Sequence, residues 1–175
     1  TTRRVSILKS VMAADEVFAR SLRDEMARRN ILLLNLIGSP GAGKTTLLEE
    51  TFKRCSFRSA VIEGDVATAR DAERIAACGV PVVQINTRGG CHLEANLVSK
   101  ALETIPLEGL DVLFIENVGN LVCPSEFDLG EDYKVAICST AEGADKPLKY
   151  PHLFHLCGAV VLTKKDLVPY VRFDR

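Results

Sequence analysis

The sequence predicts an α/β fold, in which a mostly parallel sheet has helices on both faces and is preceded by an N-terminal amphipathic helix. Short apolar runs alternate with segments of helical periodicity along most of the chain. A glycine-rich turn joins the first apolar run to the helical segment after it. The 175 residues, 47% of them hydrophobic and 26% charged, are enough for one well-packed domain and too few for two ordinary ones.

The N-terminal segment shows helical spacing of its apolar residues, with charged residues between them, and predicts one amphipathic helix or a helix pair. The residues at this spacing are Val5, Leu8, Val11 or Met12, Phe18, Leu22 and Met26. We expect residues 1–29 to form a helical segment packed on a single domain of residues 30–175.

The alternating part of the chain predicts βαβ units. Strands are expected at 31–37, 60–62, 81–85, 112–115, 135–138 and 159–162, and helices at 44–55, 68–78 and 92–104.

Net charge and apolar run lengths limit the possible partners. A net charge of −1 gives no general attraction to nucleic acid or to an anionic membrane surface. No apolar run approaches the ~20 residues that span a bilayer, and the start lacks the apolar core of a signal peptide. We therefore expect a cytoplasmic protein. Its six cysteines show no close pairing, so most are expected to be small buried residues.

The turn after the first predicted strand matches the P-loop pattern G-x-x-x-x-G-K-S/T, from Gly38 to Thr45. Such a turn lets backbone N–H groups close around phosphates at a helix N-terminus. Lys44 is expected to reach the β- and γ-phosphates and the Thr45 hydroxyl to ligate Mg²⁺. The alternative is an ordinary glycine-rich turn. The predicted nucleotide-binding residues here are Gly41, Ala42, Gly43, Lys44, Thr45 and Thr46. This motif makes the predicted fold a P-loop NTPase sheet.

Two carboxylates end predicted strands where a P-loop needs a metal ligand. Asp65 follows the strand at 60–62, and Glu116 ends the strand at 112–115. Because ligands bind beyond the carboxyl ends of parallel strands, both are expected beside the P-loop. With Lys44 they form the predicted catalytic set, and a backbone N–H at Gly119 could approach the γ-phosphate. Either carboxylate could instead be a solvated strand-end residue.

The turn Thr163-Lys164-Lys165-Asp166 follows the last predicted strand and is similar to the guanine-reading element of GTPases. Asp166 could accept hydrogen bonds from guanine N1–H and its exocyclic amine, which adenine cannot supply. Lys164 would lie along the base. Lysine-rich turns with an aspartate are also common on protein surfaces.

A possible transition-metal site combines Cys91 and His92, which follow two glycines, with Cys123, which lies seven residues after Glu116. Two thiolates and an imidazole suit Zn²⁺ or Ni²⁺. Taken singly, Cys123 as a core residue and His92 as a residue of a helix start are strong alternatives, and spacing does not prove that the three converge.

The segments LNLIGSPGAGKTTLLEE, EGDVATARDAERI, CHLEANLVSKAL and FIENVGNLVCPSEFDLGE together resemble the HypB family, GTPases that assist nickel insertion into nickel–iron hydrogenase. The resemblance covers nearly the whole chain. The related UreG proteins of urease maturation are the nearest alternative, but they are expected to carry a Cys-Pro-His cluster, which this sequence does not contain.

The resemblance implies a slow GTPase that binds GTP and Mg²⁺, forms a homodimer in the GTP state and works with the metallochaperone HypA and the hydrogenase large-subunit precursor. It implies Ni²⁺ or Zn²⁺ at the dimer interface, held by Cys91, His92 and Cys123. Asp71, on the segment after Asp65, is a weaker candidate, with a helix-start carboxylate as the alternative. Thr163 stands where the family usually has asparagine, and the chain ends soon after Asp166, without the expected C-terminal strand and helix.

The pattern predicts a switch in which GTP orders the segments of Asp65 and Glu116, carries Cys123 along and changes the affinity of the metal site. A small P-loop kinase and a structural zinc protein with a vestigial nucleotide site are the alternatives from other classes.

Overall fold

The computed structural model describes residues 7–66 and 69–173, with side chains described from residue 14 onward. Its strands are β1 (Leu32–Gly38), β2 (Ser59–Asp65), β3 (Val82–Asn86), β4 (Val112–Glu116), β5 (Tyr133–Ser139) and β6 (Cys157–Thr163). They form one sheet in the order β3-β2-β4-β1-β5-β6, and every neighbouring pair is parallel. The predicted parallel sheet is therefore confirmed.

The helices within the described residues are α1 (Ile7–Arg29), α2 (Lys44–Arg54), α3 (Arg70–Ala76), α4 (Ala95–Leu102), α5 (Cys123–Glu126), α6 (Lys146–Lys149) and α7 (Pro151–Leu156). Two 3-10 helices span Thr140–Glu142 and Lys165–Tyr170. The helix predicted from residue 92 begins only at Ala95. The helices α5 to α7 were not predicted, because segments of four to six residues are too short to show a helical period.

Apolar side chains pack on both faces of the sheet, because successive residues of a strand point to opposite sides. On one face, Leu33 of β1 packs in a cluster with residues of α1 and α4, such as Met26 and Val98. On the other, Leu36 of β1 packs with Leu48 of α2 and Ile75 of α3. Helices therefore cover both faces, as predicted.

The N-terminal helix α1 buries Leu22 and Met26, as its periodicity predicts. Phe18 differs, because it is 41% exposed while its neighbour Ala19 is buried. Val5 lies outside the described residues, as do the side chains of Leu8, Val11 and Met12. The buried face of α1 therefore passes through Ala19 rather than Phe18. No helix in the described ranges is both long and apolar enough to cross a membrane.

The cysteines correct one expectation. All six are free, but Cys138 alone is buried. Cys55 and Cys91 are exposed, because the first ends α2 and the second lies in a loop. The expectation that most are small buried residues is wrong.

Candidate functional site

The P-loop of residues 39–44 joins β1 to α2 at the carboxyl edge of the sheet. Gly41 and Gly43 have φ of 73° and 95°, a left-handed conformation that side chains disfavour. Gly43 is the N-cap residue of α2, so the helix starts with Lys44 and Thr45, both buried. The loop thus presents the N-terminus of an eleven-residue helix to the cavity beside it.

Two carboxylates lie side by side on adjacent strands near the P-loop, because Glu63 of β2 and Glu116 of β4 are register partners. The Thr45 hydroxyl donates to Glu116 Oε1 at 2.7 Å. The Oε2 atoms of Glu63 and Glu116 are buried and have no hydrogen-bond partner among the described residues. Buried carboxylate oxygens without partners are costly, and a hydroxyl with carboxylates is an oxygen donor set that suits Mg²⁺. The residues present therefore fit a magnesium ion.

The electrostatics around Glu63 and Glu116 favour a bound cation. Burial, together with the charges of Glu116, Asp65 and Asp71, raises the pKa of Glu63 to about 8. Burial also raises the pKa of Glu116 to about 6, although the Thr45 hydrogen bond and the Lys44 charge oppose the change. Burial lowers the pKa of Lys44, against the attraction of the Glu116 carboxylate. The acidic groups are close enough to resist ionising together, and a divalent cation would relieve that repulsion.

A cavity of about 580 Å³ opens over the P-loop and these strand ends. It brings together most of the predicted residues: Gly41, Gly43, Lys44, Thr45, Thr46, Asp65, Asp71, Glu116, Gly119 and Lys164. Two predicted residues do not line it, since Ala42 is fully buried behind the loop and Asp166 is exposed on the turn that follows β6. Their side chains are therefore not part of this cavity wall.

Two charged cavity residues were not predicted, Glu63 and Arg74. The Arg74 guanidinium donates to the Glu49 carboxylate at 3.0 and 2.6 Å, to Asp71 at 3.1 Å and to the Thr46 hydroxyl at 3.0 Å. Glu63 could have been found from the side-chain period of a strand, which puts it on the same side of β2 as Asp65, two residues later. The sequence carries no comparable signal for Arg74.

The turn after β6 contacts the P-loop through its first two residues. The Thr163 hydroxyl donates to the Ala42 carbonyl at 2.6 Å. Lys164 has a left-handed backbone, and its ammonium donates to the Gly41 carbonyl at 2.7 Å. The Thr163 hydroxyl thus anchors this turn to the phosphate loop.

The donor atoms of Cys91, His92 and Cys123 lie within 4.8 Å of one another. Cys91 Sγ and His92 Nδ1 are 3.6 Å apart. The His92 ring stacks on Phe127, with ring centroids 3.8 Å apart and planes 15° apart. The three predicted donors are therefore brought together, although 32 positions separate the two cysteines.

Loop geometry explains this convergence. Arg88 and Gly89 have positive φ, and the Thr87 hydroxyl donates to the Gly90 carbonyl at 2.8 Å, which turns the chain sharply before Cys91. Cys123 opens the short helix α5, which Pro124 helps to start. Adjacent thiols favour the neutral form, since the hydrogen bond with Cys123 raises the pKa of Cys91. Burial lowers the pKa of His92, which keeps a neutral imidazole available as a ligand.

Comparison with known proteins identifies the family. The CobW/HypB/UreG nucleotide-binding domain matches residues 32–175. Hydrogenase maturation factor HypB of Escherichia coli K12 is 51% identical over 174 residues, which are 98% of this chain and 60% of that protein. The chain thus spans about 60% of the length of this curated relative.

Two solved structures are also similar. HypB from Helicobacter pylori in complex with nickel has a TM-score of 0.86 at 41% identity, covering 89% of this chain and 74% of that one. HypB from Archaeoglobus fulgidus has a TM-score of 0.84 at 35% identity, covering 93% of this chain and 80% of that one. The chain therefore belongs to the HypB group of the CobW/HypB/UreG family of nucleotide-binding domains.

Proposed function

We propose that this protein is a GTP-hydrolysing metallochaperone that binds Ni²⁺, or Zn²⁺, and assists nickel insertion into nickel–iron hydrogenase. The observation that carries the proposal is the convergence of Cys91, His92 and Cys123 within 4.8 Å. Cys123 follows Glu116 on a segment that also lines the nucleotide cavity at Gly119. A metal site joined so directly to a nucleotide site supports a carrier whose metal affinity follows its nucleotide state.

We propose that the 580 Å³ cavity binds GTP, with phosphate contacts from the backbone of residues 41–46 and the Lys44 ammonium. Thr45, Asp65 and Glu116 would hold Mg²⁺, whose charge neutralises the β- and γ-phosphate oxygens. Lys44 now lies 3.4 Å from the Gly38 carbonyl, a long hydrogen bond that it can exchange for a phosphate oxygen. Asp65 and Glu116, the last residues of β2 and β4, would also orient the attacking water.

The base is proposed to be guanine, read by Asp166 with Lys164 along its plane. Asp166 is exposed, so its carboxylate is accessible to an incoming base. The contacts of Thr163 and Lys164 with the P-loop support a turn fixed at the correct end of the cavity. Residues 30–175 are proposed as the GTPase domain, with residues 1–29 packed on it.

We further propose a homodimer that holds the metal at its interface and acts with HypA and the hydrogenase large-subunit precursor. Three donors from one chain leave a tetrahedral zinc ion, or a four-coordinate nickel ion, one ligand short. A second copy can supply the missing ligand. Val122, beside Cys123, is 52% exposed and offers apolar surface for such a contact.

The test is titration of Ni²⁺ and of Zn²⁺ into the wild type and Cys91→Ala, with GDP or a non-hydrolysable GTP analogue, while dimer mass is recorded. Cys55→Ala is the matched control, because Cys55 is equally exposed and lies at the end of α2. We expect Cys91→Ala alone to lose tight binding. Equal metal affinity in Cys91→Ala and wild type would refute the metal site, and equal affinity in both nucleotide states of wild type would refute the coupling.

Two further measurements separate the alternatives. Lys44→Ala should weaken GTP-dependent dimerisation, whereas a structural zinc protein with a vestigial nucleotide site would be unaffected. Incubation with GTP alone should release inorganic phosphate, whereas a kinase would require an acceptor.

A further inference from the structure

A chain of buried polar side chains crosses the core between the nucleotide cavity and the metal donors. Asn35 of β1 and Asn117, which directly follows β4, are 0% and 1% exposed. Glu131, just before β5, is also buried. Buried amides and carboxylates are costly unless each is hydrogen-bonded. Each of these three side chains therefore needs hydrogen-bond partners inside the protein.

Asn117 holds the loop of Cys91 and His92 from within the core. Its Oδ1 accepts from the backbone N–H of Leu93 at 3.2 Å, one residue after His92. The same oxygen accepts from the Val118 N–H at 3.0 Å, and the Asn117 N–H donates to the Leu36 carbonyl of β1 at 3.1 Å. One amide oxygen is therefore shared by the metal loop and the segment that follows Glu116.

That segment is in direct contact with the P-loop. A methyl group placed on Gly119 would lie only 2.9 to 3.0 Å from Pro40, so the two backbones touch. Asn120 forms an isolated bridge with Gly38, and its side-chain amide donates to the Cys91 carbonyl at 3.3 Å. A phosphate that moves residues 118–120 must therefore change the geometry at Asn117 Oδ1 and at Cys91.

The Leu93 side chain gives the same loop a second contact with the nucleotide site. A methyl group on Gly64, between the cavity residues Glu63 and Asp65, would lie 2.8 Å from Leu93 Cγ. Leu93 is fully buried. The loop of Cys91 and His92 is thus packed on β2 through the Leu93 side chain. It is hydrogen-bonded through the Leu93 N–H to Asn117, the residue after β4.

From Asn117, which itself lines the nucleotide cavity, the other half of the polar chain leads away from that cavity to the metal donors. Asn117 Nδ2 donates to Asn35 Oδ1 at 3.2 Å, and Asn35 Nδ2 donates to Glu131 Oε1 at 3.1 Å. Glu131 pairs with Lys134, whose ammonium donates to the Phe127 carbonyl at 2.6 Å. Phe127 stacks on His92. This half fixes the ring that supports His92.

We propose that Asn117 is the positioning residue that transmits the nucleotide state to the metal site, by holding the Leu93 N–H and the Val118 N–H on one amide oxygen. The inference rests on the proposed function, since it presupposes that nucleotide and metal affinities are coupled. Asn35 supports the same site, but its contact is with Asn117 Nδ2, on the other side of the amide from the oxygen that holds the Leu93 and Val118 N–H groups. Loss of Asn35 should therefore change metal affinity equally in both nucleotide states.

The test compares the ratio of Ni²⁺ affinities, in the GTP analogue and in GDP, for wild type, Asn117→Ala and Asn35→Ala. Coupled sites typically differ by about 5- to 150-fold, and we expect Asn117→Ala to bring the ratio to within about twofold of one. Asn35→Ala, which removes a buried amide of the same kind, should keep the wild-type ratio. A merely structural role for Asn117 would lower stability in both variants and leave both ratios unchanged.

The outcomes distinguish the proposed coupling of nucleotide and metal affinities from the proposed role of Asn117. A wild-type ratio of one would refute the proposed coupling itself, and this inference with it. A clear wild-type ratio that survives in Asn117→Ala would refute the inference alone. If Asn117→Ala does not fold, hydrogen exchange of the Leu93 amide in wild type decides: its protection should differ between the nucleotide states, and equal protection beside coupled metal affinities would overturn the role of Asn117.

Discussion

Replacing Gly119 with alanine tests whether the segment after β4 must lie against the P-loop for nucleotide to bind. A Cβ at this position would lie 2.9 Å from Pro40 Cγ and 3.0 Å from both Pro40 Cα and Pro40 N. Carbon atoms in ordinary contact are about 3.5 to 4.0 Å apart. The two segments must therefore separate by roughly 0.5 to 1 Å, because backbone atoms cannot rotate away as a side chain can.

The magnitude follows from this overlap. Forcing an extra methyl group into a packed contact costs about 1 to 3 kcal/mol. Gly119 lines the cavity together with Lys44, so a displacement of this segment changes the cavity wall that would face the phosphates. We expect the affinity of Gly119→Ala for a GTP analogue to fall by up to about 160-fold, which is the upper end of this cost expressed as a binding ratio.

The assay is a fluorescence titration of a GTP analogue, with urea unfolding to establish that the variants are folded. Gly158→Ala is the matched control: its Cβ would meet the Tyr133 ring, a side chain that is 55% exposed and has solvent beside it to move into. We expect wild-type affinity for that control. A folded Gly119→Ala that binds as tightly as wild type would show that the close approach to Pro40 is not needed.

Three further predictions concern single side chains. Burial raises the pKa of Glu63 to about 8 from an ordinary 4.5. As the pH rises, the Glu63 carboxyl therefore loses its proton in the unfolded chain before it does so in the folded one. The free energy of unfolding falls by about 1.4 kcal/mol per pH unit between these two values. Glu63→Gln should flatten this slope in urea unfolding without metal or nucleotide, and equal slopes would contradict it. Thr163→Val removes the hydroxyl that donates to Ala42, and should lower the free energy of unfolding by about 1 kcal/mol and weaken binding of the GTP analogue; unchanged values of both would contradict the anchoring role. Arg23→Met removes an ion pair with Asp128 that is 44% and 49% exposed, so thermal unfolding should show a loss below about 1 kcal/mol, and a larger loss would mean that the pair contributes more than an exposed contact does.

Features that depend only on residues close together in the chain could be predicted from the sequence. The P-loop is one continuous turn, so its glycines, Lys44 and Thr45 are recognisable from spacing alone, and the strand before it from an apolar run. The six parallel strands followed from the same local reasoning, since each is a short apolar segment between turns. The first residue of α4 was misplaced because the loop that precedes it has no periodic signal.

By itself, then, the sequence determined the fold class and the phosphate loop, because each follows from contiguous residues or from a distinctive motif, and it singled out Cys91, His92 and Cys123 as candidate metal donors. Only the tertiary structure decided that Cys123 lies beside Cys91 and His92, that Glu63 is level with Glu116, and that Asn117 reaches the Leu93 N–H. These contacts join segments far apart in the chain. They depend on strand order, register and the path of loops, which short-range patterns of hydrophobicity do not specify.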